Sequence, residues 1–269
     1  MIGPQFFRGC VGDSMVVRYR EEGSQFGWSA GRRMAHLGAI SVVLVFMVSV
    51  VMAPCASAYE NPEGYAAYQM KDFYRVWGVS SYMYIANPTY TETTKSLVLA
   101  GMTMWIWDNQ WLQFGYMEGW YVNSRGYWVE LTTPKLYTEY GNLNTGTSFV
   151  SVSALTITPG TWHTFKIMFN SATWSWECWF DSSMIYTTST WVTQTNGDWI
   201  NVQGECKDDN DKTNGVMHFH SLKYLAYTVG KGGALLNPTW VYWNGYTGAD
   251  AESPWSKTSS SNEFDCWIN

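Results

Sequence analysis

Charge is scarce in this sequence: Asp, Glu, Lys and Arg together make up 14% of 269 residues, with 16 basic against 22 acidic side chains. Helical periodicity is missing too, since no stretch after residue 60 repeats its apolar positions every 3.6 residues over a helical length. Without helices there is nothing to cover a parallel sheet, which excludes the α/β classes. No CxxC pair occurs, so a structural zinc site of the usual spacing is not expected. There is no G-x-S-x-G turn and no Gly-rich phosphate loop ahead of a helix, which removes serine hydrolase and nucleotide chemistry.

One long apolar run is present, and it lies near the start. Arg32 and Arg33 precede an uncharged stretch from Leu37 to Met52, followed by Pro54, Cys55 and the small-x-small triplet Ala56-Ser57-Ala58. This is the order of a secretory signal peptide, so residues 1–58 are expected to be a leader and 59–269 one secreted, extracellular domain with no stable membrane association after cleavage. The run is about 16 residues, short of the ~20 that a membrane span needs. Removing the leader's five arginines and three acidic residues from the totals leaves a net charge of −8. Phosphate backbones require the opposite sign, so nucleic acid is not an expected partner.

Three cysteines remain beyond the leader: Cys178, Cys206 and Cys266. In an oxidising compartment one disulfide and one leftover thiol are expected. Cys178 and Cys206 lie in strand-like runs and are the preferred pair; Cys266 could replace either, and three buried thiols is the alternative.

What recurs beyond residue 60 is Trp, Tyr, Thr, Val and Ile, in short runs broken by Gly, Asn, Asp and Pro. Strands are expected at 74–85, 96–107, 111–116, 126–131, 136–140, 147–156, 162–170, 175–181, 183–188, 199–205, 215–225, 240–243 and 263–268. A short helix is expected at 64–70, and 230–233 and 247–262 are expected to be loops. So many strands imply an all-β, antiparallel, two-sheet jelly-roll sandwich. The 16 tryptophans beyond the leader exceed what such a core holds, so several should line a groove suited to peptide or sugar.

The stretch W-I-W-D-N-Q-W-L-Q-F-G-Y-M-E-G-W, from Trp105 to Trp120, carries the first chemical signal. Period two puts Trp111, Gln113 and Gly115 on one face and Leu112, Phe114 and Tyr116 on the other. A lone amide between Trp and Gly is unusual in mid-strand, where Gly often marks close approach of a ligand or backbone. Val202-Gln203-Gly204-Glu205-Cys206 has the same form, with a carboxylate after a Gly. If both strands lie side by side in one concave sheet, Gln113 and Glu205 could meet over a water. Glu205 would then serve as base and acid, and Gln113 would position the water and the oxyanion.

The ordered set W-L-Q-F-G-Y (111–116), Y-T-E-Y-G (137–141), G-T-W-H-T-F-K-I (160–167), V-Q-G-E-C (202–206) and M-H-F-H-S-L (217–222) resembles the glutamic peptidases, of the eqolisin and neprosin types. The resemblance covers roughly residues 78–225 and favours the Gln/Glu version of the pair. It implies an acid-acting endopeptidase with Gln113 and Glu205 catalytic and with Trp111, Tyr137, Glu139 and Tyr140 against a peptide or protein substrate. No metal or other cofactor is implied. The alternative is a non-catalytic extracellular module that binds carbohydrate or peptide on the same aromatic sheet.

Three further clusters are legible. Glu118, Glu130 and Glu139 could supply the carboxylate pair of a glycosidase, though the single-strand E-x-D-x-x-E pattern is absent. His218 and His220 share a strand face and could hold a metal with a third ligand such as His163, the plainer reading being structural histidines. Asp208, Asp209 and Asp211 lack the Gly and terminal Glu of a calcium loop and read as a solvated turn.

Overall fold

The computed structural model describes residues 64–70, 76–106, 110–142, 145, 147–188, 197–229, 235–243 and 247–268, and the expected leader lies outside them. Among the described residues no helix is long and apolar enough to cross a membrane. These residues form two antiparallel sheets. The first runs β13 (Thr247–Ala251), β1 (Gly64–Met70), β10 (Gly197–Cys206), β3 (Leu97–Ile106), β4 (Gln110–Val122), β5 (Trp128–Asn142) and β6 (Thr147–Thr156). The second runs β14 (Trp255–Ser260), β15 (Glu263–Ile268), β11 (Met217–Val229), β2 (Gly78–Tyr84), β7 (Trp162–Asn170), β8 (Ser175–Phe180) and β9 (Ser183–Thr187), with β12 (Leu235–Tyr242) also on β11.

Alternation decides which face of each strand meets the core. In β7 Phe165, Ile167 and Phe169 are buried and the residues between them are not. In β4 Leu112, Phe114 and Tyr116 face the second sheet, with the Phe114 and Phe165 rings 5.3 Å apart. The core between the sheets is one cluster, and a second, smaller one of Leu97, Leu99, Met117, Leu131 and Tyr137 lies on the opposite face of the first sheet. That outer face is buried as well, so β3 is apolar on both sides.

Five expectations are corrected. Residues 64–70 form a strand rather than a helix: small Ala66 and Ala67 let β1 fit between β10 and β13, and ladder bonds on both edges outweigh local propensity. Residues 247–262, expected as loop, contain β13 and β14; β14 is polar apart from Trp255, so it carries no alternation to read. The expected strands 126–131 and 136–140 are one strand, β5, in which Pro134 falls in the register shift against β4 and lies just before the first β6 pair at Lys135, so it removes no ladder bond.

The fourth correction is the disulfide. Cys178, Cys206 and Cys266 are all free and buried. Cys178 lies on β8 in the second sheet and Cys206 on β10 in the first, where the Trp255 indole N–H donates to its sulfur at 3.3 Å. In the second sheet β15, β11, β2 and β7 all separate β8 from β14, the strand that carries Trp255. Burial pushes the Cys206 thiol up to about 12 and the other two well above their ordinary value, so all three are poor nucleophiles.

The acidic turn also differs from the solvated loop expected. Asp211 Oδ1 accepts from the Thr91 N–H and hydroxyl at 2.8 and 3.0 Å, and its Oδ2 accepts from the Ser96 hydroxyl and the Asp208 N–H. Asp208 in turn accepts from Thr94 and Asn210. Both carboxylates are buried knots joining two turns, and Asp209 alone is exposed.

Candidate active site

The outer face of the first sheet can be laid out in ranks from its register. One rank reads Asn201, Thr103, Gln113, Glu139 across β10, β3, β4 and β5; the next reads Gln203, Gly101, Gly115, Tyr137; the next begins Glu205, Leu99, Met117. Gln113 and Glu205 therefore share a face but not adjacent strands, because β3 lies between them. That corrects the side-by-side arrangement expected from sequence.

The two glycines resolve the gap. A Cβ on Gly101 would lie 2.7 Å from the Tyr137 hydroxyl and 3.6 Å from Gln113 Cγ, so its absence opens a bare strip over which side chains can reach. Across that strip Gln113 Nε2 donates to Glu205 Oε1 at 2.9 Å. The expected bridging water is replaced by direct contact. Gln203 Nε2 donates to the same oxygen, and Asn201 Nδ2 donates to Gln203 Oε1. Asn201, Gln203 and Glu205 thus form one hydrogen-bonded stripe along β10. Sequence reasoning missed the first two, although their i, i+2, i+4 spacing against inward Ile200 and Val202 was there to be read.

Both members of the pair are buried, Gln113 at 4% and Glu205 at 5% exposure. Burial pushes Glu205 up from its ordinary 4.5 to about 8. The two amide donors favour its charged form and oppose that trend without cancelling it. Glu139 is raised to about 7, again by burial, against the pull of the Ser148 hydroxyl and the Lys207 charge. Thr103 Oγ1, Tyr137 Oη, Glu139 Oε1 and Asn201 Oδ1 are buried on this face with no hydrogen-bond partner among the described residues. Such atoms are costly in a folded protein and in number mark a place where something else supplies the partner.

The other expected site residues divide by face. Trp111 pairs with Gly141, and its indole fills the place where a side chain at 141 would stand; the Trp105 ring centroid is 5.7 Å away. Tyr137 and Glu139 lie in the ranks beside Gln113. Tyr140 does not join them: it is buried in the inter-sheet core, where its hydroxyl donates to Gln110 Oε1 at 3.0 Å, so it cannot contact a ligand on the outer face. The glycosidase carboxylates are likewise divided. Glu118 lies on the core side of β4 and Glu139 on the outer side of β5, while exposed Glu130 accepts from the Tyr90 hydroxyl at 2.7 Å. Of the tryptophans, Trp176 is wholly buried and Trp128 and Trp174 are exposed, and Trp107 lies outside the described residues.

On the outer face of the second sheet His218 and His220 do point the same way, but their third neighbour is Asp265 of β15. His163, the expected third ligand, bonds Asp181 at 2.9 Å instead.

No protein-family profile and no curated protein matches the sequence. Among solved structures, the chain is similar to Scytalido-glutamic peptidase with a peptide-based transition state analog, at 10% identity over 78% of this chain and 99% of that one, with a TM-score of 0.48. It is similar to SCP-B, a member of the eqolisin family of peptidases in a complex with the tripeptide Ala-Ile-His, at 9% identity over 78% and 100%, with a TM-score of 0.45. It is also similar to the Bacillus licheniformis beta-glucanase, at 10% identity over 75% and 70%, with a TM-score of 0.34.

Proposed function

We propose that this protein is a hydrolase that cleaves peptide bonds, with Glu205 and Gln113 as its reacting pair. The observation that carries the reading is the 2.9 Å bond between these side chains, 92 residues apart, beside buried polar atoms that have no partner among the described residues. A peptide lying over the Gly101–Gly115 strip offers alternating N–H and C=O groups to those atoms. In its carboxylate form Glu205 takes a proton from water as the oxygen attacks the carbonyl carbon. The Gln113 amide has two N–H groups; one holds Glu205, and the other meets the developing oxyanion. Glu205 then returns its proton to the leaving nitrogen, the C–N bond breaks, and the carboxylate is restored. The balance needs no metal and no covalent enzyme intermediate.

In this reading the working range lies above the acid range that an ordinary glutamate implies. A base must be ionised, and burial delays ionisation of Glu205 toward about 8, so the active form gains ground as pH rises through neutrality. The leader read from the sequence carries the chain out of the cell in this reading, to act on unfolded or extended protein chains.

Incubating the full chain with a denatured protein and identifying new termini by mass spectrometry tests the proposal. Cleavage is expected, and Gln113→Ala should reduce its rate about 10²–10³-fold, the usual effect of losing one oxyanion donor. If the wild type cuts nothing between about pH 4 and 9, a range that brackets ordinary and buried carboxyls, the peptidase reading fails. The aromatic face would then stand as a binding surface.

A further inference from the structure

We infer that the outer face of the second sheet holds a site for one zinc-class divalent cation, formed by His218, His220 and Asp265. The site shares no residue with the pair on the first sheet and does not depend on the peptidase reading.

The strand period builds it. Met217 and Phe219 point into the core, wholly buried, so His218 and His220 are turned outward on the same face. On neighbouring β15, Phe264 and Cys266 are wholly buried, which turns Asp265 outward, and register places it opposite His218. The fixed inward residues leave the three outward ones little freedom to separate.

The nitrogens converge on one oxygen. His218 Nδ1 is 2.8 Å and His220 Nε2 3.4 Å from Asp265 Oδ1, and the three ligand atoms all lie within 4.8 Å of one another. A tetrahedral zinc with bonds near 2.0–2.2 Å needs its ligand atoms about 3.3 Å apart, so small side-chain rotations suffice. A simple His–Asp hydrogen bond would employ one imidazole; here two compete for a single oxygen, the arrangement a cation between them would satisfy. Two imidazoles and a carboxylate suit zinc and its neighbours rather than calcium or magnesium, which take oxygen.

Aromatic rings hold the imidazoles in place. Trp162 stacks on His218 at 5.7 Å and leans on His220 at 5.0 Å, and Tyr84 meets His218 edge-on at 5.6 Å. All three candidate ligands remain about one-third exposed, so a fourth position opens to solvent. The cation would also clamp an otherwise weak joint, because β15 pairs with β11 over only Met217 to Phe219.

Calorimetric titration of the full chain with zinc chloride near neutral pH is the test, with cobalt(II) absorption as the second readout. The expected result is one saturable equivalent, a four-coordinate cobalt spectrum, a higher unfolding temperature and slower hydrogen exchange in residues 255–268. His220→Ala and the near-isosteric Asp265→Asn should each weaken binding by more than the ~10–100-fold that loss of an outer hydrogen-bond partner costs. His163→Ala should leave binding unchanged. The inference is overturned if millimolar zinc gives no saturable binding, or if one equivalent still binds with undiminished affinity in both ligand variants.

Discussion

Glu205→Gln is expected to abolish peptide hydrolysis and to make the folded protein more stable in alkali. The two effects share a cause. Glutamine keeps the shape of the side chain, and its carbonyl oxygen can still accept from Gln113 and Gln203, so the hydrogen-bonded stripe survives. It cannot take a proton from water, and turnover should fall by at least ~10³-fold, the scale of losing a general base together with its share of transition-state charge. The stability change follows from linkage. The folded-state value of Glu205 lies near 8, above its ordinary 4.5, so the neutral carboxyl is favoured by folding. Stability is fully present below about 4.5 and is lost as pH rises through about 8. Above that point the wild type holds a buried carboxylate at a cost on the order of a few kcal/mol, and the glutamine variant does not. Thermal unfolding should show no difference near pH 4 and a variant more stable by roughly 5–10 °C near pH 9, at about 2–4 °C per kcal/mol for a domain this size. A difference that is the same at both pH values would contradict burial as the cause.

Gly115→Ala is expected to be among the most damaging single-methyl changes in the protein. A Cβ at 115 would lie 2.0 Å from the Ala100 carbonyl oxygen and 2.5 Å from Gly101 Cα. Both obstacles are backbone, so no rotamer change relieves them, and β3 would have to part from β4 in the middle of the first sheet. A loss of about 4 kcal/mol or more is expected, at the upper end for point changes. Gly126 makes the comparison: its φ is +78° but nothing lies within 4 Å of its Cβ position. Gly126→Ala should therefore cost only the ~1–2 kcal/mol of a left-handed alanine. Urea midpoints for the two variants should rank in that order, and a Gly115→Ala loss below about 1 kcal/mol would remove the close approach on which the bare strip depends.

The fold was legible wherever one face of a strand is apolar and the other is not. Residues 147–156, 162–170 and 263–268 were expected as strands with the limits the structure gives them. It was not legible where pairing rather than side-chain pattern makes the strand. β1 is held on both edges but is too rich in Ala to look extended, and β14 is a run of Ser, Thr and Lys after one Trp. In the site, the alternation that separates Gln113 from Phe114 also fixed which residues could meet it. The intervening strand could not be seen, since strand order is set by contacts far apart in sequence. The resemblance of Y-T-E-Y-G puts Tyr140 beside the substrate together with Tyr137 and Glu139, whereas period two turns this residue inward. Cysteine pairing failed for a related reason: composition predicts a disulfide, but only topology says whether two sulfurs can meet.

The most direct measurement is the pH dependence of kcat/KM for cleavage of an unfolded chain by the wild type. A base buried as Glu205 is should give a rate that climbs through neutrality and levels off only near about 8. A rate already at its maximum near pH 4 and falling above it would mean that some other group, or Glu205 in an unburied state, carries the reaction.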